Sequence, residues 1–444
     1  MKAKTKSLIH VVSSGMLWTY CLVPGMAKDV LRPKAEHVIL VSIDGFRPHF
    51  YLSDKRKAIC KTMITMRKSG AYAKRVLPPY PSLTYPSHAA IITGVSPARH
   101  KITANTKFRP PKIEDRGFWF ARDVKVKTLW ERADKVGLKI ASLSWPSSAD
   151  TQSIDWNFPE FWSSASGPEL YRMKHFATPA VLKLADKFGG RYWGRLLSKA
   201  HKRDTLMTEL AVELIKTKKP NLVLLHLIQL DKYQHRYRPS SRRINTALMR
   251  VDQLIRKLRH AVEEAGIKDE TAMILLGDHG FSKVDYSIAP NALLVRNGFI
   301  TMQGKKVKSW KAMVKNTGGS AGVYLKDVTD SKTLRAVRAL FEKNNYDEEG
   351  EPRYEIIEKE ELLELKGPSD PVFYLEAEPL IYVFKVFKWR LSWIRQLNAV
   401  FCTNHLGQKE LQKSLDTPTV AVLLGFEMPK TDGRVLEEIL ITDK

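Results

Sequence analysis

The sequence predicts an α/β protein: a doubly wound, mostly parallel central sheet with helices on both faces and a smaller inserted cap region. Three observations carry this. Four short apolar segments, rich in leucine or β-branched residues, read as strands buried on both faces. Segments of helical periodicity lie between them, and strands alternating with helices build parallel sheets. Carboxylates and imidazoles follow three of the four strands closely, where an open α/β sheet opens its crevice.

The elements follow in order. Lys2, Lys4 and Lys6 precede a mostly apolar or small stretch from Ser7 to Pro24, and Gly25 and Ala27 are small residues suited to a signal peptidase. Residues 1–27 are therefore expected to be a cleaved export signal, and the protein to be periplasmic or extracellular. A short membrane anchor is the other reading, but His10, Ser13, Ser14 and Gly15 interrupt the stretch, which is brief for a span. The expected strands are His37–Ile43, Ile140–Ser144, Leu222–Ile228 and Met273–Leu276. Thr128–Val136 carries Leu129, Trp130, Ala133 and Val136 on one helical face. Ile244–Val262 repeats apolar residues at Ile244, Ala247, Leu248, Val251, Leu254, Ile255, Leu258 and Val262, the period of an amphipathic helix. Gly318-Gly319-Ser320 reads as a turn into a strand at Ala321–Leu325, and Asn344–Gly350 as an exposed turn. The expected organisation is a catalytic domain over 28–281, a cap over 282–401 and a return to the main domain over 402–444, with a closing strand at Thr417–Leu424.

Composition narrows the function classes. A chain of 444 residues, 43% hydrophobic and 27% charged, is ordinary globular material. Three cysteines exclude a disulfide framework and a cysteine-based zinc scaffold. No GxxxxGK[ST] phosphate loop and no internal repeat occurs. The charge is unusual: 73 basic against 47 acidic residues, or +26. Such an excess favours an anionic substrate, partner or surface. It is spread along the chain and not gathered with aromatics into a nucleic-acid module, so no specific nucleic-acid partner is expected. The aromatic and basic stretch Pro371–Phe401 suits either a core segment with solvated edges or peripheral contact with an anionic membrane surface.

Function concentrates at the strand ends. The first expected strand runs into Asp44-Gly45, the third into Asp231 with His235 four residues on, and the fourth into Asp278-His279-Gly280. Three carboxylates in one crevice repel one another unless cations neutralise them. Carboxylate oxygen plus imidazole nitrogen, without thiolate, suits zinc in an open catalytic site. Singly, each feature is an ordinary turn, cap or surface pair; their recurrence at one sheet edge points to metal. A nucleophile is available in the proline-pinned loop Pro78–His88, where Thr84 precedes a small apolar helix at Ala89–Thr93 that ends at Gly94. A hydroxyl at such a helix mouth faces free amides and the positive dipole end. The plainer role for Thr84 and Ser87 is helix capping.

Taken in order, Val41-Ser42-Ile43-Asp44-Gly45, Pro81-Ser82-Leu83-Thr84-Tyr85-Pro86-Ser87-His88, Ile92-Thr93-Gly94, Asp231-Lys232-Tyr233-Gln234-His235 and Gly277-Asp278-His279-Gly280-Phe281 closely resemble the type I phosphodiesterase/nucleotide pyrophosphatase branch of the alkaline phosphatase superfamily. Lys127-Thr128-Leu129-Trp130, Ser144-Trp145-Pro146 and Gly318-Gly319-Ser320-Ala321 are also similar to it. The resemblance implies an alkaline phosphatase-like fold and two Zn2+ ions. One would be held by Asp44, Thr84, Asp278 and His279, the other by Asp231, His235 and a later histidine. His405 is the only histidine after His279, although the family's third ligand sits in a His-Gly motif and Leu406 intervenes here. Thr84 is implied as the nucleophile, forming a phospho-threonine ester that water then hydrolyses. Asn105 stands where a phosphate-binding asparagine is expected. Ser87 replaces an asparagine common three residues past the nucleophile and can still donate to phosphate. Tyr85 could stack on a base or aryl group, or simply pack. Lys101 replaces a glycine usual after the His100 position.

The function expected on these grounds is exported two-zinc hydrolysis of phosphodiester or nucleotide pyrophosphate bonds. Phosphomonoesterase and phosphonate hydrolase chemistry would use nearly the same site. A sulfatase is disfavoured by the absence of a Cys-x-Pro-x-Arg sequence. The rival from another class is a basic binding protein on a retired hydrolase scaffold, against which stands the retention of six other metal-site residues.

Overall fold

The computed structural model describes residues 35–383, apart from 75, 112–116, 163–167, 191–192 and 239–240, together with residues 417–437. Its centre is a five-stranded parallel sheet. In chain order the strands are β1 (His37–Ile43), β2 (Ile140–Leu143), β3 (Trp156–Phe158), β4 (Leu222–Leu227) and β5 (Thr271–Leu276). They lie side by side as β3-β2-β4-β1-β5, every pairing parallel. The interior strand β1, between β4 and β5, is buried along its whole length, because helices cover both faces of the sheet. Each fully enclosed aliphatic side chain there contributes roughly 1.5–3 kcal/mol, so the strand ends are held on a stiff base.

Sequence and structure agree on these strands with instructive exceptions. β2 stops at Leu143 because Ser144 turns to a left-handed φ of 61°. β3 escapes the sequence pattern because three residues with a polar Asn157 at the centre give no apolar run. β5, expected to be buried on both faces, forms the sheet edge and is half-buried over most of its length.

The helix Arg242–Glu264 buries all eight of the residues that its periodicity picks out. In the helix Leu129–Lys135, Thr128 takes the Glu131 N–H while the Glu131 carboxylate takes the Thr128 N–H, a reciprocal cap. Val136 is a correction: it caps this helix and is 57% exposed, so it leaves the buried face of Leu129, Trp130 and Ala133.

Two further expectations are corrected. Thr417–Leu424 is no strand: Thr417–Leu423 is a helix. Its β-branched residues suggested extension, but Pro418 suits a helix's first turn and Gly425, at φ 79°, ends it. The Phe426 N–H reaches the Ala421 carbonyl and the Gly425 N–H that of Val422, the paired bonds of a glycine stop. Val420 and Ala421 of this helix pack with Ile92, Leu129 and Trp130. The helix expected at Ala89–Thr93 begins five residues earlier, at Thr84. Pro86 lies in its first turn, where a missing N–H costs little.

A second, antiparallel sheet is formed by Ala312–Asn316, Ser320–Leu325, Phe373–Ala377 and Tyr354–Ile357, with a separate core that includes Met313, Val323, Phe341 and Phe373. It leans on the loop before Thr84 through Tyr80, whose hydroxyl donates to Glu376 at 2.9 Å. The start of the Pro371–Phe401 stretch is therefore interior strand; its part beyond 383 lies outside the described residues.

Candidate active site

The strand order does the assembling. Because β4, β1 and β5 are neighbours in that order, Asp44 emerges at the middle of one sheet edge, with Asp231 on one flank and Asp278-His279 on the other. Asp44, Asp231 and Asp278 are all nearly enclosed, as is His279.

Gly45 makes the close turn after β1. Its φ is 70°, and a Cβ there would meet the Phe281 ring at 2.4 Å. Its N–H donates to Asp278 Oδ1 at 3.0 Å and the His279 N–H donates to the same oxygen at 2.9 Å. That leaves Asp278 Oδ2 enclosed without a hydrogen-bond partner, and Asp44 Oδ1 is in the same condition. Between them stands His279 Nε2, 3.1 Å from Asp44 Oδ1 and 3.5 Å from Asp278 Oδ2. The Thr84 hydroxyl is 3.3 Å from that same nitrogen. Two carboxylates, a hydroxyl and an imidazole thus converge on one point, and Asp44, Asp278 and His279 have the spacing of a metal cluster. Hard oxygens with one imidazole nitrogen fit zinc. Burial pushes the Asp278 carboxyl up, with the nearby Asp44 charge adding to it. For Asp44 burial also raises the pKa, but the His226 and His279 imidazoles overcome it and hold it well below the carboxylate range. Asp44 is thus held ionised while burial and the Asp44 charge press Asp278 toward its protonated form, a repulsion that a bound cation would relieve.

Asp231 and His235 lie one turn apart on the helix Gln229–Tyr237, with His235 Nε2 3.1 Å from Asp231 Oδ1. Asp204, invisible to motif reading, fixes that helix: its two oxygens accept the N–H groups of Ile228 and Gln229, each at 2.9 Å. The Phe281 ring joins the two halves, meeting His235 at 5.0 Å and His279 at 5.6 Å between centroids. His405 lies outside the described residues.

Around Thr84, the Tyr85 N–H donates to Asn105 Oδ1 at 2.9 Å, which fixes the amide and leaves its NH2 group as a donor. Ser87, one turn past Thr84, has an enclosed hydroxyl with no hydrogen-bond partner. The helix-mouth amides are less free than the sequence suggests, since the Ser87 N–H returns to the Leu83 carbonyl and Pro86 has none. Tyr85 offers no open face: it is 1% exposed and set edge-on to Trp162, so here it packs. Lys101 occupies a left-handed position, φ 65°, after the helix Pro97–His100, which explains a preference for glycine there. Two buried histidines also lie under the site. His88 Nδ1 is 2.8 Å from the Thr84 carbonyl, and His226 on β4 faces Asp44. His88 falls within a motif of the sequence. From the sequence His226, in an apolar strand, is the next candidate ligand should His405 fail.

Residues 38–384 match a family described as type I phosphodiesterase / nucleotide pyrophosphatase. Human ectonucleotide pyrophosphatase/phosphodiesterase family member 1 is 26% identical over 250 residues, covering 55% of this chain and 23% of that protein. The venom phosphodiesterase of Macrovipera lebetinus is 23% identical over 257 residues, covering 56% of this chain and 26% of that protein. The chain thus spans about a quarter of the length of these relatives. Among solved structures, human ectonucleotide pyrophosphatase/phosphodiesterase 5 superposes with a TM-score of 0.54 at 16% identity, covering 82% of this chain and 86% of that one, a likeness of fold. Among the described residues no helix is long and apolar enough to cross a membrane.

Proposed function

The chain belongs to the type I phosphodiesterase/nucleotide pyrophosphatase family, and from that premise we propose that it hydrolyses phosphodiester or nucleotide pyrophosphate bonds at a two-zinc site, with Thr84 as nucleophile. The observation that carries the reading is the convergence of the Thr84 hydroxyl, His279 Nε2 and the Asp44 and Asp278 oxygens at one sheet edge. Asp44, Thr84, Asp278 and His279 would hold one zinc, and Asp231, His235 and His405 the other. When bound, the ions would supply Lewis acidity, lowering the pKa of a hydroxyl or water and neutralising charge on phosphate and leaving group.

The chain's own groups do the rest. The Thr84 oxygen attacks phosphorus in line, the P–O bond to the leaving group breaks, and an ester of Thr84 remains. Water entering from the vacated side cleaves that ester and regenerates the hydroxyl. The Asn105 NH2 and the Ser87 hydroxyl donate to the non-bridging oxygens as charge builds on them. The backbone bonds to Asp278 and to Asn105 fix these groups before substrate arrives. Export is part of the proposal, supported by the basic, apolar and small-residue order of residues 1–27 and by similarity to proteins named as ectoenzymes and venom enzymes.

The test compares a diester and a monoester carrying the same aryl leaving group. The diester should turn over faster, a strong chelator should abolish the activity, and zinc should restore it. Activity should fall in acid, because protonated imidazoles and carboxylates release metal. Faster monoester turnover would favour phosphatase chemistry. An inactive chain without metal would favour the binding-protein reading. His405→Ala should lower zinc from two toward one per chain and slow turnover far more than a surface substitution. Two zincs and an unchanged rate in that variant would place the third ligand elsewhere.

A further inference from the structure

A cavity of about 750 Å³ lies at the other end of the Thr84–Thr93 helix, walled by residues from 93–99, 121–132, 150–152 and 428–430. At about 1.5 Å per residue, Thr93 on its wall stands about 14 Å along the helix axis from Thr84. The volume falls in the range of small-molecule sites, roughly 300–1,000 Å³. Six side chains around it are basic: Arg99, Arg122, Lys125, Lys127, Arg132 and Lys430. Among the described residues three of them have carboxylate partners, Arg99 with Asp432 at 2.7 Å, Lys127 with Glu131 at 2.7 Å, and Arg122 with Asp150. Glu131 is also engaged by its helix cap, where it accepts from the Thr128 N–H and hydroxyl, each at 2.9 Å. Lys125 donates to a neutral group, the Arg122 carbonyl, at 2.9 Å. Arg132 Nε is enclosed without a hydrogen-bond partner. Lys125, Arg132 and Lys430 thus bring three positive charges that no acid offsets. Buried Val95, Val124 and Met428 add apolar wall.

We infer that this cavity is a second anion site, which takes a phosphate monoester dianion carrying an apolar or aromatic body. It is separate from the catalytic edge and does not rest on the hydrolase reading. Like charges around one cavity repel, and an enclosed N–H without an acceptor is costly, so an occupant that brings negative charge and acceptor oxygens relieves both. A phosphate monoester brings two charges and three terminal oxygens, which suit a guanidinium fork together with two ammonium groups. A carboxylate brings one charge and leaves most of the excess in place. The apolar wall is surplus for inorganic phosphate and fits a ligand with an organic part. This chemistry occurs both in a soluble nucleoside monophosphate and in the headgroup of phosphatidic acid, and the experiment separates the two sources.

The test acetylates the full chain lightly in zinc-containing buffer and follows Lys125 and Lys430 by mass spectrometry. Both are exposed, so the readout is local to the cavity. The probes are adenosine monophosphate and phosphatidylcholine vesicles with or without phosphatidic acid. Slower modification of both lysines with either phosphate probe supports the site. The nucleotide alone marks a soluble ligand, phosphatidic acid alone a lipid headgroup, and both a site open to either. Arg132→Gln should raise the probe concentration for half-protection about 10- to 100-fold, the scale of a hydrogen bond to a charged group, with an unchanged circular dichroism spectrum. Asp44→Asn should leave the protection as in wild type. No protection by either probe overturns the inference, as does protection that Arg132→Gln leaves unchanged. Protection lost in Asp44→Asn overturns it in favour of binding at the catalytic edge. If Arg132→Gln does not fold, Lys430→Gln at its exposed position takes its place, with Lys125 as the readout.

Discussion

Thr84→Ala is expected to remove turnover by a factor on the order of 10^4 to 10^6, the scale on which loss of a covalent nucleophile acts, while the protein stays folded. The fold should survive because Thr84 is only half-buried and its N-cap neighbour Leu83 makes no side-chain cap that would be lost. The side-chain hydroxyl bonds to His279, which keeps Asp44 and Asp278 as neighbours in the variant. Thr84→Ser should retain measurable activity, since the hydroxyl remains at the same point of the helix mouth. Circular dichroism and steady-state rates on one diester read both effects. Near wild-type turnover in Thr84→Ala would remove the covalent mechanism.

Asp44→Asn is the second large effect. The amide keeps the shape of the carboxylate, so the turn at Gly45 and the packing of Phe281 should persist. What goes is the charge that faces His279 and opposes Asp278. The variant should bind one zinc fewer, or bind it too weakly to survive dialysis. Turnover should fall by more than the about 10- to 100-fold cost of losing a group that only supports a ligand. Metal analysis after dialysis and the diester rate are the readouts. Full zinc content with an unchanged rate would remove Asp44 from the ligand set.

Much of this site was legible because its residues sit at ends of strongly patterned elements. β1 is the polar His37 followed by six apolar or small residues up to Asp44-Gly45, and its limits follow directly from the sequence. Asp231 and His235 are one helical turn apart wherever a helix follows β4, and Asp278-His279 ends β5 by position alone. The rest depended on distances that no local pattern carries. Asp204 holds the start of the Asp231 helix from another segment, and its burial as a polar residue shows only after folding. Tyr85 was open between stacking and packing because its neighbour Trp162 is remote in sequence; the ring edge it meets there decides for packing. The closing segment misled because Val420 and Val422 favour extension, while its helix is set by Pro418, Gly425 and burial against Trp130. The start of the Thr84–Thr93 helix was missed for a related reason. Prolines on both sides of Thr84 suggest a loop, yet a first turn tolerates them.

The steric course at phosphorus tests the central claim most directly. A diester made chiral at phosphorus by sulfur substitution, hydrolysed in oxygen-18 water, reports how many displacements occur. Attack by Thr84 followed by attack of water inverts the centre twice, so the account predicts net retention. Net inversion would mean that water attacks the substrate directly, and would contradict a nucleophilic Thr84.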